Sequence, residues 1–369
     1  MEQFLGKAAQ IAPARRYIPI NKGHFEMEPP ERTDEFHRKL SSGWESGYAE
    51  YRRLWRELPA KRQVRDYPLL VDLELASVCN LRCKMCYTIT DEFKAKVKKG
   101  LMDWDIFTDV IDQIAGKVFA VRLSLRGEPT LHKQFIDCIK YAKDKGIPEV
   151  STLTHGGRLE LPLFEEAVKA GIDWITISVD GLADQYDPIR KPLTFVDTVR
   201  RIRQMKEYKE QHGLVKPVIK VQGIWPAIRP NPTKYYETFA PIADLVAFNP
   251  LIDYLRKDRS IVYEENFACP QLYQRIVVGS NGNYMMCSND EDELNIIGSA
   301  YQDRLHDIWH GEKLNAVRAM HNKKDGFKAL APCLACYYPR KAVPDEQAQV
   351  GHRVIHIENY LNRAQTAGS

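Results

Sequence analysis

The chain lacks any apolar run approaching the roughly 20 residues that a membrane-spanning helix needs, although 44 % of its 369 residues are hydrophobic. Its first residues lack the apolar stretch of a secretory signal. No repeat or low-complexity segment stands out. The net charge of +4 is too small to argue for nucleic acid, and the basic stretches at 94–99 and 200–209 read as solvated faces. These absences predict a cytoplasmic protein with no membrane and no nucleic-acid partner. Without a secretory signal, disulfides are disfavoured, so eight cysteines point to metal binding or redox chemistry.

Three of the eight fall in one run, Cys79-Asn80-Leu81-Arg82-Cys83-Lys84-Met85-Cys86. The run lacks a fourth cysteine. Structural zinc takes four ligands, typically in pairs, whereas a cubane iron–sulfur cluster held by three thiolates keeps one iron open. The C-x3-C-x2-C spacing resembles the signature of the radical S-adenosylmethionine (radical SAM) enzymes. That resemblance implies a 4Fe–4S cluster at Cys79, Cys83 and Cys86 whose open iron binds SAM. In the family, the reduced cluster cleaves SAM to a 5′-deoxyadenosyl radical, which abstracts a hydrogen atom.

Strand-like and helix-like stretches alternate from about residue 67. Apolar or β-branched runs at 69–75, 118–125, 149–153, 174–179, 218–225 and 245–248 are separated by helix-like stretches at 104–115, 131–145, 161–170, 194–208 and 233–239. Six such repeats predict an α/β fold with a parallel sheet, and a (β/α)6 partial TIM barrel fits both the count and the resemblance. Residues 1–66 read as a helical N-terminal extension, with helical periodicity over 35–58. After about residue 259 the rhythm changes to a β-hairpin around Asn281-Gly282 and one helix over 305–320. The expected division is therefore 1–66, a core over 67–258, a small hairpin-and-helix auxiliary domain over 259–345, and a tail over 346–369 with a terminal helix at 354–361.

In a barrel of this kind the site is built from loops at the C-terminal strand ends, and the remaining motifs fall there. Gly127-Glu128-Pro129 resembles the family's Gly-Glu-Pro motif, which contacts the SAM amino group, with Arg126 where a glycine is common. Thr152 and Thr154 stand after the third strand, with His155 in the place of a family asparagine. Ser178 and Arg190 match SAM-contacting positions, Arg190 through a charge-assisted bond to the carboxylate. Met85 stands before the third cysteine, where the family usually has an aromatic residue near the adenine, Tyr87 lies just beyond it, and the resemblance implies that the backbone at Gly223 comes close to the adenine. His155, Arg126 and Tyr254 are the candidate catalytic or substrate contacts.

Four further cysteines follow: Cys269 and Cys287 lie on either side of the hairpin, and the pair Cys333 and Cys336 closes the set after the helix-like stretch. A zinc knot is one reading of four thiols. With no cysteine between Cys287 and Cys333 and none after Cys336, the set resembles the single-cluster twitch form of the SPASM extension. That implies a second, fully ligated 4Fe–4S cluster acting as electron acceptor. Cys138 is left over, and reads as a buried inert thiol.

Together these features predict a radical SAM oxidoreductase that oxidises or epimerises a polar small molecule of sugar or aminocyclitol type. A reducing partner such as flavodoxin or ferredoxin is implied. The second reading is a maturase acting on a ribosomally made peptide. Relatives of that type often begin with a leader-binding winged helix, and residues 1–66 lack its three-strand pattern.

Overall fold

The computed structural model describes residues 17–20, 22–250 and 258–363. Twelve strands occur among them: β1 Phe25–Glu26, β2 Leu70–Leu73, β3 Ala120–Arg122, β4 Glu149–Thr154, β5 Trp174–Ser178, β6 Val218–Ile224, β7 Leu245–Asn249, β8 Arg275–Val278, β9 Asn283–Met285, β10 Ile296–Ser299, β11 Ala342–Val350 and β12 Arg353–Tyr360. Ten form one sheet in the order β1-β7-β6-β5-β4-β3-β2-β8-β9-β10. Strands β2 to β7 are parallel neighbours in chain order, the expected (β/α)6 partial barrel. Helices return the chain between them. Trp104–Ile114, for example, buries Ile106, Phe107, Val110, Ile111 and Ile114, the spacing of one helical face. The strands are rich in β-branched residues, which pack well on a pleated surface buried on both sides.

The hairpin around Asn281-Gly282 is present as β8 and β9. It joins the barrel sheet directly: β8 pairs in parallel with β2, Leu70 opposite Arg275 through Leu73 opposite Val278. The auxiliary region is thus an extension of the sheet on the side where the three-cysteine loop leaves β2.

The N-terminal extension forms two helices, Pro30–Ser41 and Glu45–Lys61, rather than one over 35–58. Gly43, at φ +85°, makes the corner with a conformation that costs a side-chain-bearing residue more. Pro30 opens the first helix at a position where its missing N–H is not needed. Both helices pack at the N-terminal ends of the strands. Phe36 meets Trp174, the first residue of β5, at 5.5 Å between ring centroids, and Tyr51 stacks on Phe119, just ahead of β3, at 5.4 Å. They close the floor of the barrel, opposite the cysteine loop.

Two expectations are corrected. The helix over 305–320 is two, Leu305–Trp309 and Glu312–His321, broken at Gly311, where any side chain would meet the Asp307 carbonyl at 2.8 Å. The terminal helix over 354–361 is strand β12, paired antiparallel with β11 around Gly351. Here Val354 is exposed and Ile357 buried, and cross-strand pairing overrides the weak local preference. Strand β11 also runs through residue 345, so the hairpin is one unit that a boundary there would cut.

Burial and nearby Asp173 push the Glu149 carboxyl in the barrel up to about 7 from a usual 4.5. The folded state therefore holds this proton more tightly than the unfolded chain, and stability falls as pH rises from about 4.5 to about 7. Glu149→Gln is expected to raise the urea midpoint at about pH 8 by the equivalent of roughly 1–3 kcal/mol and to leave it nearly unchanged at about pH 4.

Candidate functional site

The chain leaves β2 at Leu73 and enters the loop carrying Cys79, Cys83 and Cys86. Cys79 is exposed, Cys86 half-buried and Cys83 buried. The loop turns on itself through Cys86 N–H donating to the Cys83 carbonyl (2.9 Å), and Leu81 N–H points at the Cys79 sulfur (3.4 Å). Burial pushes the Cys79 thiol up to about 11, and the Cys83 thiol is raised for the same reason. A bound metal cation would favour the thiolate form that this environment disfavours at Cys79 and Cys83. Leu81, Met85, Ile189 and Ala227 form a small apolar cluster around Cys83.

Gly127 clamps this loop. Its N–H donates to the Ala76 carbonyl (3.1 Å) and the Glu128 N–H to the Val78 carbonyl (2.9 Å). A Cβ on Gly127 would lie 2.4 Å from both carbonyl oxygens, so glycine is required by backbone contact within the protein.

The Glu128 carboxylate is buried and crowded with donors. It accepts from Thr130 Oγ1 (2.6 Å), Thr130 N–H (3.2 Å), Thr154 Oγ1 (2.6 Å) and His155 N–H (3.0 Å). One carboxylate thus ties the end of β3 to the end of β4, and Pro129 begins the short 3-10 turn Pro129–Leu131 that aims it.

His155 extends that tie to the cysteine loop. Its Nδ1 accepts from Gly157 N–H (2.9 Å), so the ring proton sits on Nε2, which donates to Asn80 Oδ1 (2.8 Å). Burial lowers its pKa from the usual 6.5 and keeps the ring neutral. Both nitrogens are engaged within the protein: His155 is a strut between β4 and the residue after Cys79, not a side chain open to substrate. Asn80 was not singled out from sequence; it stands beside a cluster cysteine, but its partner is 75 residues away.

Arg126 is likewise committed. Its side chain is fully buried and forks onto Glu74, with Nε donating at 2.6 Å. Its Nη2 reaches Glu293 Oε1 at 2.8 Å and its Nη1 the Glu291 carbonyl at 3.0 Å. Glu293 also accepts from Asn281 and Asn283 of the hairpin, and Glu74 accepts from Ser280 N–H. The departure from glycine at this position thus links the Gly-Glu-Pro turn to the auxiliary region.

Arg190 lies against the loop from the other side. Asp180 Oδ2 takes its Nε at 2.7 Å and its Nη2 at 2.6 Å, while Asp180 Oδ1 accepts from Ile224 N–H. Burial opposes its charge, but Asp180 and the neighbouring Cys83 more than offset this and raise its pKa further. Ser178 ends β5 opposite Gln222 of β6. Thr154 is held by Glu128, and the Thr152 hydroxyl, on the same strand face, is buried with no hydrogen-bond partner. At Gly223 a Cβ would meet the Val179 carbonyl at 2.3 Å, so close approach there is between strands. The Tyr87 ring sits edge-on to Phe93 at 5.4 Å. Tyr254 lies outside the described residues.

Cys269, Cys287, Cys333 and Cys336 come together around one pocket with Asn289 and His321. Burial pushes Cys269 up to about 11 and Cys336 up to about 12, and raises Cys287 and Cys333 well above the ordinary thiol value, with repulsion from the other cysteines adding at Cys287, Cys333 and Cys336. Asn289 Nδ2 and Tyr338 N–H both donate to the Cys336 sulfur, at 3.2 and 3.4 Å. Cys138 is fully buried in the helix Phe135–Asp144, away from both sets.

Among the described residues, only Asp66, His306 and His310 bring three candidate ligand atoms within 4.8 Å of one another; no three cysteine sulfurs do. Four sulfurs on zinc, with bonds of about 2.3 Å, would sit about 3.8 Å apart. The absence of such a cysteine group is compatible with thiolates that each bind their own iron of a cubane. The Asp66 group is internally paired: His306 Nε2 lies 3.0 Å from Asp66 Oδ1 and His310 Nε2 lies 2.9 Å from the Asp66 carbonyl. These contacts dock Leu305–Trp309 onto the segment before β2.

A parallel partial barrel with three thiols at one strand end and four more at its sheet extension defines an iron–sulfur protein. Residues 73–217 match the radical SAM superfamily and residues 269–337 match the SPASM iron–sulfur cluster-binding domain. The chain is a radical SAM protein with a SPASM domain, and these domains bind SAM, a 4Fe–4S cluster and additional iron–sulfur centres. It is similar to a tungsten-containing aldehyde ferredoxin oxidoreductase cofactor-modifying protein of Pyrococcus furiosus, 25% identical over 69% of this chain and 72% of that protein. It is also similar to the SAM-dependent 2-deoxy-scyllo-inosamine dehydrogenase of Niallia circulans, 21% identical over 72% of this chain and 92% of that protein. Among solved structures, Streptococcus suis SuiB bound to S-adenosylmethionine shares the fold, with a TM-score of 0.54 at 12% identity over 83% of this chain and 81% of that one. No helix of the described residues is long and apolar enough to cross a membrane.

Gly127→Ala forces a side chain into the Ala76 and Val78 carbonyls. Displacement of the cysteine loop by about 1 Å is expected to lower 5′-deoxyadenosine release about 10²-fold, with the circular-dichroism spectrum unchanged. Wild-type release from this variant would contradict the clamp.

Proposed function

We propose that this protein is a radical SAM oxidoreductase that oxidises a polar small molecule of sugar or aminocyclitol type at a carbinol carbon. The observation that carries this reading is the pairing of a three-thiol loop at the end of β2 with a separate four-thiol pocket beside the sheet's β8–β9 extension. Cys79, Cys83 and Cys86 would hold the first cluster, and Cys269, Cys287, Cys333 and Cys336 the second. When bound, the two clusters supply the electron that cleaves SAM and the acceptor for the electron that a substrate radical gives up.

The chain's own residues have separable tasks. Glu128, His155 and Asn80 hold the cysteine loop to the ends of β3 and β4. Arg190, gripped by Asp180 on two of its nitrogens, would offer Nη1 to the SAM carboxylate, and Ser178 at the end of β5 is the second contact assigned there. Met85, Tyr87, Gly127, Pro129, Thr152, Thr154 and Gly223 complete the rim assigned to SAM. Oxidation also needs a group to take the hydroxyl proton. His155 and Arg126 are spent in structural contacts, which leaves Tyr254 as the sequence candidate for that task. Similarity to 2-deoxy-scyllo-inosamine dehydrogenase over 92% of its length supports a small alcohol substrate. Low-potential clusters favour a reducing, cytoplasmic setting and a flavodoxin- or ferredoxin-type donor.

A peptide-modifying reading draws support from likeness to SuiB bound to its precursor peptide, at a TM-score of 0.51.

Serine or alanine at Cys79, Cys83 or Cys86 is expected to abolish 5′-deoxyadenosine formation from SAM and dithionite. Cys333→Ala is expected to preserve that step while removing net substrate oxidation. Retained SAM cleavage in a Cys83 variant would refute the assignment. Retained oxidation in Cys333→Ala would refute the role given to the second centre.

A further inference from the structure

His321 ends the helix Glu312–His321 and is 1% exposed. Its Nε2 lies 3.6 Å from the Cys333 sulfur, within the reach of a hydrogen bond to sulfur. The ring is held by Phe267, edge-on at 6.0 Å, and by Phe327 at 6.5 Å, both fully buried. These walls keep the imidazole in the four-cysteine pocket and keep water away from it. The helix that carries it lies in the stretch between Cys287 and Cys333, which has no cysteine of its own.

We infer that His321 donates its Nε2–H to the Cys333 thiolate and thereby raises the reduction potential of the cluster held by the four C-terminal cysteines. The inference rests on the cluster reading above. A thiolate ligand becomes more electron-rich when its cluster gains an electron. A donor aimed at the sulfur therefore stabilises the reduced form more than the oxidised form. The effect is larger in a dry pocket, where a hydrogen bond is poorly screened. Cys336 already receives donors from Asn289 and from the Tyr338 backbone, so His321 extends the same electron-withdrawing pattern to a second ligand. The consequence is a centre better suited to accept an electron than one surrounded only by hydrocarbon. His321 touches neither SAM nor substrate in this account; it is a positioning residue acting through Cys333.

The test uses full-length protein carrying Cys79→Ala, Cys83→Ala and Cys86→Ala, reconstituted anaerobically so that only the second centre remains. An EPR-monitored redox titration is run on this parent and on the same protein with His321→Phe or His321→Gln. About four irons per chain are expected in all three. The midpoint is expected to shift to lower potential in the Phe variant, with the amide N–H of Gln restoring part of the shift. Pulsed EPR of the parent with 15N-labelled histidine supplies a readout that does not depend on the variants folding: nitrogen coupling to the reduced cluster is expected. An unchanged midpoint with iron retained, or no nitrogen coupling in the parent, would overturn the inference alone. A parent that binds no iron would overturn the cluster reading beneath it, and the inference with it.

Discussion

The carboxylate of Glu128 is the point on which the site depends. It is buried and accepts from both ends of the loop region it organises: Thr130 on its own turn, and Thr154 and the His155 N–H at the end of β4. A buried charge is tolerable only when its lone pairs are satisfied in this way. The arrangement then becomes rigid, because losing any donor leaves part of the charge uncompensated. His155 carries the constraint on to Asn80, and Gly127 fixes the backbone leading to Cys79. The loop carrying Cys79, Cys83 and Cys86 is thereby tied to the ends of β3 and β4.

A second buried charge system couples this site to the auxiliary region. Glu74, Arg126 and Glu293 are each nearly or fully buried and directly paired. Such a network adds little net stability compared with hydrocarbon, but breaking it on one side costs about 3–5 kcal/mol. Its value is geometric. It fixes the turn that follows Arg126 relative to the loop after Cys287, so the two thiol sets are held within one sheet. The parallel pairing of β2 with β8 adds a backbone constraint along the same line. In the oxidation proposed above, transfer of an electron from a substrate radical to the second centre would use this fixed spacing.

Much of this was legible in the sequence, for physical reasons. Six β-branched runs separated by amphipathic stretches dictate a parallel sheet, and the cysteine spacings announce their own chemistry because thiolate ligation tolerates few arrangements. What could not be read were partners far apart in the chain. Arg126 and Glu293 are separated by 167 residues, and His155 and Asn80 by 75. From sequence, a histidine and an arginine at strand ends look like ligand contacts; only packing shows that their nitrogens are already engaged. The strand at Arg353–Tyr360 was missed because its apolar residues fit helical and strand periods about equally well, and pairing with Ala342–Val350 decided the matter. His321 carried no motif, since its significance lies in its distance to Cys333.

The central claim is that the three-cysteine loop holds a cluster with one iron open to SAM. It is tested most directly by EPR of the reduced protein carrying Cys333→Ala and Cys336→Ala, recorded with and without SAM. The account predicts a 4Fe–4S signal whose g-values change when SAM is added, and hyperfine coupling to the cluster from SAM labelled with 15N at its amino group. A signal indifferent to SAM, with no such coupling, would contradict it.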